Sequence, residues 1–344
     1  MMKTRILVTG GTGYIGSHTV VELQNAGYEA VIVDDLSNSR IEVLDGIEGI
    51  TGSRPGFAQF NLQDREKLDD LFASRGPFEA VVHFAASKSV GESVREPLAY
   101  YRNNLVSMLN LLDAMRAGGT AGIVFSSSCT VYGQPARLPV TEEAPFQKAA
   151  SPYGNTKRIC EEILQDAVAA RPTLRAIALR YFNPIGAHPS ARIGELPSGI
   201  PDNLVPYITQ TAIGLRQELR VFGSDYNTPD GSCIRDYIHV VDLARAHVAA
   251  LRRLVEKSAA TGLECFNIGT GTGHSVLEVV RAFEKVSGRK LNYRIVGRRP
   301  GDIEEVWADT SLANRVLGWR AEKGLEEMLD SAWRWEQRCR GRET

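Results

Sequence analysis

Two periodicities alternate along the first half of the chain. Short apolar runs read as buried strands: Ile6-Leu7-Val8, Val31-Ile32-Val33, Ala80 to Phe84, Gly122 to Ser126 and Arg175 to Leu179, with Phe57 to Phe60 a weaker one. Between them lie patterns of helical period. Tyr14 to Ala26 places Ile15, Val20, Leu23 and Ala26 among its apolar positions, and Asp64 to Ala73 gathers Leu68, Leu71 and Phe72 on one side. Pro97 to Ala117 and Ser151 to Ala170 predict long helices. Strands separated by helices imply βαβ units, hence a parallel sheet covered on both faces.

The regularity breaks after Arg180. Residues 183–203 carry Pro184, Pro189, Pro197 and Pro201 with Gly186, Gly194 and Gly199, which reads as a ligand-covering loop. Helical patterns return near 204–215, 242–256, 275–287 and 325–337, with strand-like pieces at 264–268 and 292–296. The expected division is a sheet domain over residues 1–181, with a returning segment 239–268, and a smaller domain over 182–238 and 269–344. The polar tail Arg338 to Thr344 is expected to fray.

Composition narrows the class without naming a function. A length of 344 residues fits about two domains, and 43% apolar with 24% charged residues is ordinary globular usage. A net charge of -1 removes the global basic excess of a nucleic-acid binder. Five cysteines, an odd number without CxxC spacing, argue against a zinc site or disulfide framework and for a reducing compartment. A strand pattern beginning by Arg5 leaves no room for a removable signal peptide, and the longest apolar runs are too short to cross a membrane. The expected setting is the cytoplasm. No His/Asp/Glu cluster has metal spacing, so no metal is expected.

Three constellations carry candidate chemistry. Gly10-x-x-Gly13-x-x-Gly16, enclosing Tyr14 and Ile15, lies where the first strand turns into the first helix. Glycine permits the tight turn and close approach of backbone to a pyrophosphate, and the helix N-terminus offers N–H groups and partial positive charge. A glycine-rich turn without a ligand is the alternative, but Asp34 stands 18 positions after Gly16, at the end of the second strand. A carboxylate there accepts from adenosine ribose hydroxyls and repels a 2′-phosphate, which favours NAD over NADP. Second, Ser151-Pro152 suits a helix start and puts Tyr153 and Lys157 on one helical face at i, i+4. A cation beside a phenol lowers its pKa and makes a general base, though Tyr-x-x-x-Lys alone also describes an ordinary helix surface. Third, Ser126-Ser127-Ser128 ends the fifth strand, the edge where ligands sit in open α/β sheets.

Together these three motifs resemble the extended short-chain dehydrogenase/reductase superfamily. Further segments are similar to its UDP-glucose 4-epimerase family: Asp34-Asp35-Leu36-Ser37-Asn38-Ser39, Val90-Gly91-Glu92-Ser93-Val94, Arg180-Tyr181-Phe182-Asn183-Pro184, Gly186-Ala187-His188-Pro189, Arg235-Asp236-Tyr237-Ile238-His239-Val240 and Trp307-Ala308-Asp309. The resemblance covers nearly the whole chain. It implies a Rossmann-type doubly wound parallel sheet with a smaller α/β substrate-binding domain. It also implies a homodimer built on the two long helices, and interconversion of UDP-glucose and UDP-galactose with tightly held NAD. Tyr153, Lys157 and Ser128 would be catalytic, with Thr130 as a helper. Gly10, Gly13, Tyr14, Ile15, Gly16, Asp34, Asn38, Ser39, Asn61, Leu62, Phe84, Ala85, Ala86, Lys88, Asn103 and Tyr181 would join Tyr153 and Lys157 around NAD. Asn183, Asn203, Leu204, Phe222, Arg235, Arg299, Asp302 and Val306 would join Ser128 around the UDP-sugar. Lys88, Arg235 and Arg299 would supply positive charge that the net balance conceals.

Three departures stand out. Phe60-Asn61-Leu62 occupies a place where the family usually has Gly-Asp-Ile or Gly-Asp-Leu, so Asn61 removes a charge. Cys129 follows the serines where alanine is common, and reads as a small buried residue. Val306 stands where the family carries tyrosine or a smaller residue beside the sugar; either it admits UDP-GlcNAc and UDP-GalNAc, or the pocket closes around it. Other functions remain open. A 4,6-dehydratase would need an Asp-Glu pair where this chain has Cys129 and Thr130. An enzyme acting on UDP-glucuronate needs a partner for the carboxylate, and a silent NAD(H)-binding regulator needs no chemistry.

Overall fold

The computed structural model describes residues 3–256, 258–260, 262–299 and 302–341. The first strands and helices run β1 Arg5–Thr9, α1 Tyr14–Asn25, β2 Glu29–Asp34, α2 Val43–Thr51, β3 Gly56–Gln59, α3 Arg65–Arg75 and β4 Ala80–His83. They continue as α4 Val90–Arg95, α5 Pro97–Ala117, β5 Gly122–Ser126, a 3-10 turn Cys129–Tyr132, α6 Pro152–Ala170 and β6 Arg175–Tyr181. Then come β7 Asn183–Ile185, α7 Leu204–Ala212, β8 Leu219–Phe222, β9 Ile234–His239, α8 Val240–Val255, β10 Gly262–Ile268 and β11 Gly273–Ser275. The chain ends with α9 Val276–Ser287, β12 Tyr293–Val296, β13 Glu305–Val306, α10 Ser311–Val316 and α11 Leu325–Gly341.

Among the described residues, seven strands form one sheet in the order β10-β6-β5-β4-β1-β2-β3. Every pairing in it is parallel. The strand order reverses between β1 and β4, which opens a crevice at their C-terminal ends. The reason for the buried sheet is visible in the sequence. Ile6, Val8, Val82, Val124 and Ile177 point to one face and meet α1 and α8 residues such as Val20 and Leu251. Leu7, Val81, Ile123 and Phe125 point to the other and meet Leu68, Met108, Leu111 and Leu164. The alternation is apolar on both sides because helices cover both.

The second half builds a smaller unit. β9 pairs with β7, β11 and β13, and β8 pairs with β12. Its core gathers Ile208, Val221, Val280, Phe283, Leu329 and Trp333. β10 extends the large sheet beside β6, and α8 covers that sheet. Ala313 of α10 and Trp319 also join the core of the large sheet, so residues after 269 are shared between the two units. One expectation is corrected within the described residues: α11 runs unbroken to Gly341, and Arg338 donates to the Ser190 carbonyl at 3.1 Å instead of fraying. Arg342 to Thr344 of that tail lie outside the described residues. No helix among the described residues is long and apolar enough to cross a membrane.

Candidate active site

The glycine turn sits at the crevice for steric reasons. Gly10 has φ +70°, and a Cβ there would stand 2.7 Å from the Ala85 nitrogen, so the turn lies directly against the end of β4. A Cβ on Gly16 would stand 2.2 Å from the Gly10 carbonyl oxygen, which only glycine avoids. α1 therefore starts tight against the turn. Its N-cap, Gly13, makes no side-chain cap hydrogen bond, and no acidic residue lies in the first turn. The dipole and the leading N–H groups are thus left for an anion.

Asp34 ends β2 beside this turn. Its carboxylate accepts from the Thr12 N–H at 3.2 Å, the Leu36 N–H at 3.0 Å and the Ser39 hydroxyl at 3.2 Å, and Ser39 also meets the Thr12 hydroxyl at 2.7 Å. Asn38 next to it is exposed. Asn61 explains its own departure from the family: its amide donates to Asp35 at 2.7 Å, while its carbonyl accepts from the Gln63 N–H. An aspartate there would face the Asp35 carboxylate. Burial works against the Asp35 charge, but hydrogen bonds from Ser37 and Asn61 outweigh it and hold the carboxyl below its usual range. Leu62 is buried in the sheet core. Asn103 donates to the Ser87 hydroxyl and accepts from Asn61, so it bridges the ends of β3 and β4. Phe84, Ala85 and Ala86 are half-buried along the same edge.

Ser128, Tyr153 and Lys157 come together at the C-terminal edge of β5. Ser151 caps α6 by accepting from the Gly154 N–H, and Pro152 occupies the first turn. Tyr153 and Lys157 then share one buried face, 8% and 4% exposed. Lys157 Nζ lies 5.9 Å from the Tyr153 ring centre and donates to the Ser126 carbonyl at 2.7 Å. Ser126 also meets the Tyr181 hydroxyl at 2.9 Å. The expected lowering of the phenol pKa is not the net effect here. Burial pushes the Tyr153 phenol well above its ordinary value, outweighing the lowering hydrogen bond with Ser128. Burial likewise pulls Lys157 down to about 8. The lysine is thus a weaker influence on the phenol than the desolvation both share. Thr130 Oγ1 is buried without a hydrogen-bond partner in the described structure, a polar atom at the edge of this site. Cys129 is a thiol that burial pushes up to about 12, an inert group at neutral pH.

On the other side of the crevice, Arg299 lies over the Phe222 ring at 5.5 Å and pairs with Asp302 at 2.6 Å. Arg235 donates to the Ile234 carbonyl from β9, and its neighbour Asp236 clamps the strand ends by accepting from the Thr270, Gly271 and Ala308 N–H groups. Val306, on β13, is buried with Val131, Tyr132, Phe182 and Ala308. Asn183 begins β7, and Leu204 begins α7 just after its N-cap, Asn203.

Two groups that sequence reasoning missed stand in this region. Glu195 accepts from Asn203 at 2.7 Å and lies 3.8 Å from Lys88 Nζ, so it joins a candidate cofactor residue to a candidate substrate residue. Its position in an irregular loop gave no periodic signal. Glu161, one helical turn after Lys157, is buried against Ser127 and Arg180. The same i, i+4 spacing that selected Lys157 would have found it.

The family model described as GDP-mannose 4,6 dehydratase matches residues 7–332. A UDP-glucose 4-epimerase of Bacillus subtilis is 55% identical over 331 residues, spanning 96% of both chains. The solved UDP-glucose 4-epimerase of Bifidobacterium longum, in complex with NAD+ and UDP, is 46% identical and superposes with a TM-score of 0.93 over 97% of this chain and 98% of that one. The Stenotrophomonas maltophila enzyme, with bound NAD and formylated UDP-arabinopyranose, is 49% identical with a TM-score of 0.95 over 99% and 100%. With a shared fold over its full described length and about half its residues identical to these proteins, the chain belongs to the UDP-glucose 4-epimerase family of extended short-chain dehydrogenase/reductases.

Proposed function

We propose that this protein is an NAD-dependent isomerase that interconverts UDP-glucose and UDP-galactose by inverting the sugar at C4. The observation that carries the reading is the buried meeting of Ser128, Tyr153 and Lys157 at the sheet edge that also holds the glycine turn. The residues fit the cofactor. Uncapped N–H groups of α1 suit a pyrophosphate, Asp34 suits the adenosine ribose, and Lys157 suits the nicotinamide ribose. When bound, NAD supplies the hydride acceptor and donor for C4 and a positive ring charge.

The chain's own residues do the rest. Ser128 orients the C4 oxygen. Tyr153 takes the C4 hydroxyl proton and later returns it, with the ammonium of Lys157, 5.9 Å from its ring centre, favouring the phenolate. A 4-keto sugar formed here would turn about its link to UDP, so that its opposite face could take back the hydride that a bound cofactor would supply. That rotation needs a tightly held nucleotide and a loosely held sugar. Asn183, Asn203, Leu204, Phe222, Arg235, Arg299 and Asp302 form the nucleotide side, with the arginines facing diphosphate and Phe222 facing uracil. Residues 1–181 with 239–268 serve NAD, and 182–238 with 269–344 serve the nucleotide sugar. Dehydration is disfavoured because Cys129 and Thr130 offer no carboxyl acid where elimination needs one.

Val306 favours a second reading on the same site. Val306 packs against Val131, Tyr132 and Phe182, and a side chain smaller than a phenol at this position suits N-acetylated UDP-sugars as further substrates. The quaternary state we propose is a homodimer through α5 and α6. Leu98 and Leu109 of α5 are 73% and 49% exposed, and burying them stabilises a pair of chains. An odd cysteine count without CxxC spacing suits the cytoplasmic setting we propose. The test of function is direct. Pure protein incubated with UDP-galactose and no added NAD should form UDP-glucose, and Tyr153→Phe should abolish it. No conversion by wild type even with NAD supplied would favour a silent NAD-binding regulator instead.

A further inference from the structure

α6 carries a third functional side chain on the face of Tyr153 and Lys157. Glu161 follows Lys157 by four residues and is 2% exposed. Its carboxylate accepts from the Ser127 hydroxyl at 2.5 Å, and from Arg180 Nε at 3.1 and 3.2 Å and Nη2 at 2.6 Å. Arg180, from β6, also donates to the Tyr132 hydroxyl at 2.9 Å and to the Glu142 carbonyl at 3.2 Å. The Tyr132 hydroxyl in turn donates to Asn267 of β10 at 2.7 Å. One carboxylate thus ties α6 to the end of β5, to β6 and, through Tyr132, to the turn that follows Ser128.

Stability alone is a poor reason for this arrangement. Apolar residues of similar volume often replace a buried ion pair without loss. The position gives a better reason. Ser127 lies between Ser126, whose carbonyl holds Lys157, and Ser128, which faces Tyr153. We propose that Glu161 is a positioning residue for the epimerase reaction: it anchors Ser127 and so sets Ser128 against Tyr153, and it places a negative charge one helical turn from Lys157 on the same buried face. This rests on the function proposed above. Lys157 is faced by Tyr153, Cys160 and Glu161 of its own helix and by His83 of β4, with Arg180 of β6 reaching it through Glu161. Burial lowers Lys157, while the negative charge of Glu161 acts in the opposite sense; Cys160 is a thiol that burial pushes up to about 12, uncharged where the lysine titrates. Among the carboxylates, Glu161 is therefore the one that sustains the lysine charge.

Three proteins test this: wild type, Glu161→Gln and Ser127→Ala, each assayed on UDP-galactose from pH 6 to 10 and checked for folding by circular dichroism and for retained NAD by absorbance. Glu161→Gln should lose at least tenfold in kcat with KM for UDP-galactose within about twofold, and the alkaline fall of its kcat profile should move to lower pH. Ser127→Ala keeps the charge, so it should lose kcat severalfold with the alkaline fall unmoved. A folded Glu161→Gln with the wild-type profile overturns the proposal, as does a kcat loss whose pH profile stays fixed, which marks a merely structural role. Should Glu161→Gln fail to fold, Ser127→Ala decides, and wild-type kcat in that variant overturns it. Inactive wild type on UDP-galactose instead overturns the functional reading, and the positioning role with it.

Discussion

Gly10→Ala tests the link between backbone geometry and the cofactor cleft, because the chain contains its own control. Gly10 and Gly52 have nearly the same left-handed backbone, φ +70° and +73°. They differ in surroundings. A Cβ on Gly52, which ends α2, meets nothing within 4 Å, whereas one on Gly10 meets the Ala85 nitrogen at 2.7 Å and the Ala85 Cα at 3.0 Å. Both substitutions carry the same conformational strain, of order 1–2 kcal/mol. Gly10→Ala adds an overlap with backbone atoms that cannot swing aside, worth about 1–3 kcal/mol by analogy with overpacked cores. At about 2–4 °C per kcal/mol for a domain of this size, Gly10→Ala should melt roughly 2–12 °C below Gly52→Ala. The relief of that overlap pushes the end of β4 outward, and with it Ala85 and Ala86. Purified Gly10→Ala should therefore carry less bound NAD, read as absorbance released on denaturation, while Gly52→Ala carries the wild-type amount. Equal melting losses and equal NAD content in the two variants would refute the argument that close approach, rather than φ alone, demands glycine at the turn.

Other expectations follow from the same geometry. Val306→Tyr should reduce UDP-GlcNAc turnover at least tenfold while sparing UDP-galactose, measured by paired initial rates; absent N-acetyl turnover in wild type sinks the wider substrate range. Asp34→Asn removes the charge opposed to a 2′-phosphate, so the preference for NAD over NADP in reconstitution should fall at least tenfold, about 1.4 kcal/mol; an unchanged preference would remove Asp34 from that role. Lys157, held down to about 8 by burial, loses its proton as pH rises through that value. Turnover that needs the charged lysine should therefore fall on the alkaline side near pH 8, and a kcat flat to pH 10 would show that the charge is dispensable.

The sheet was legible where local and tertiary demands agreed. β1, β2, β4 and β5 each hold an unbroken apolar run, and α6 starts at a serine cap followed by proline, as its sequence signalled. α2 has no counterpart in the sequence reading, and its Gly46 and Gly49 are poor helix formers. Both glycines have a tertiary cause: a Cβ on Gly46 would stand 2.7 Å from Ile193 Cγ2, and one on Gly49 2.7 Å from Arg192 Nη1. The loop 183–203 packs on that helix, and a contact with residues over 140 positions away leaves no local signature. β9 escaped notice for a related reason. Arg235 and Asp236 look like surface residues until the Thr270, Gly271 and Ala308 N–H groups converge on the aspartate.

The candidate site divides along the same line. Spacing identified which residues meet, because i, i+4 on a capped helix fixes Tyr153 and Lys157 on one face whatever else folds around them. Their ionisation was not legible, because it depends on the dielectric that the remainder of the chain creates. A lysine beside a phenol lowers its pKa only where their attraction exceeds the cost of burying both. Here burial is the largest influence on each, so the phenol moves up and the ammonium moves down. The pair drawn from sequence as a finished base is, in the folded chain, a phenol held protonated by burial beside an ammonium that keeps its proton at neutral pH and loses it near pH 8. Their charge rests on what surrounds them: the Ser126 carbonyl and the Ser128 hydroxyl close by, and the carboxylate of Glu161 one turn further along the helix. A sequence motif can therefore name the acid–base partners correctly and still misstate their pKa values. The electrostatic part of a catalytic site is a property of the whole buried cluster, and substitutions outside the motif reach it.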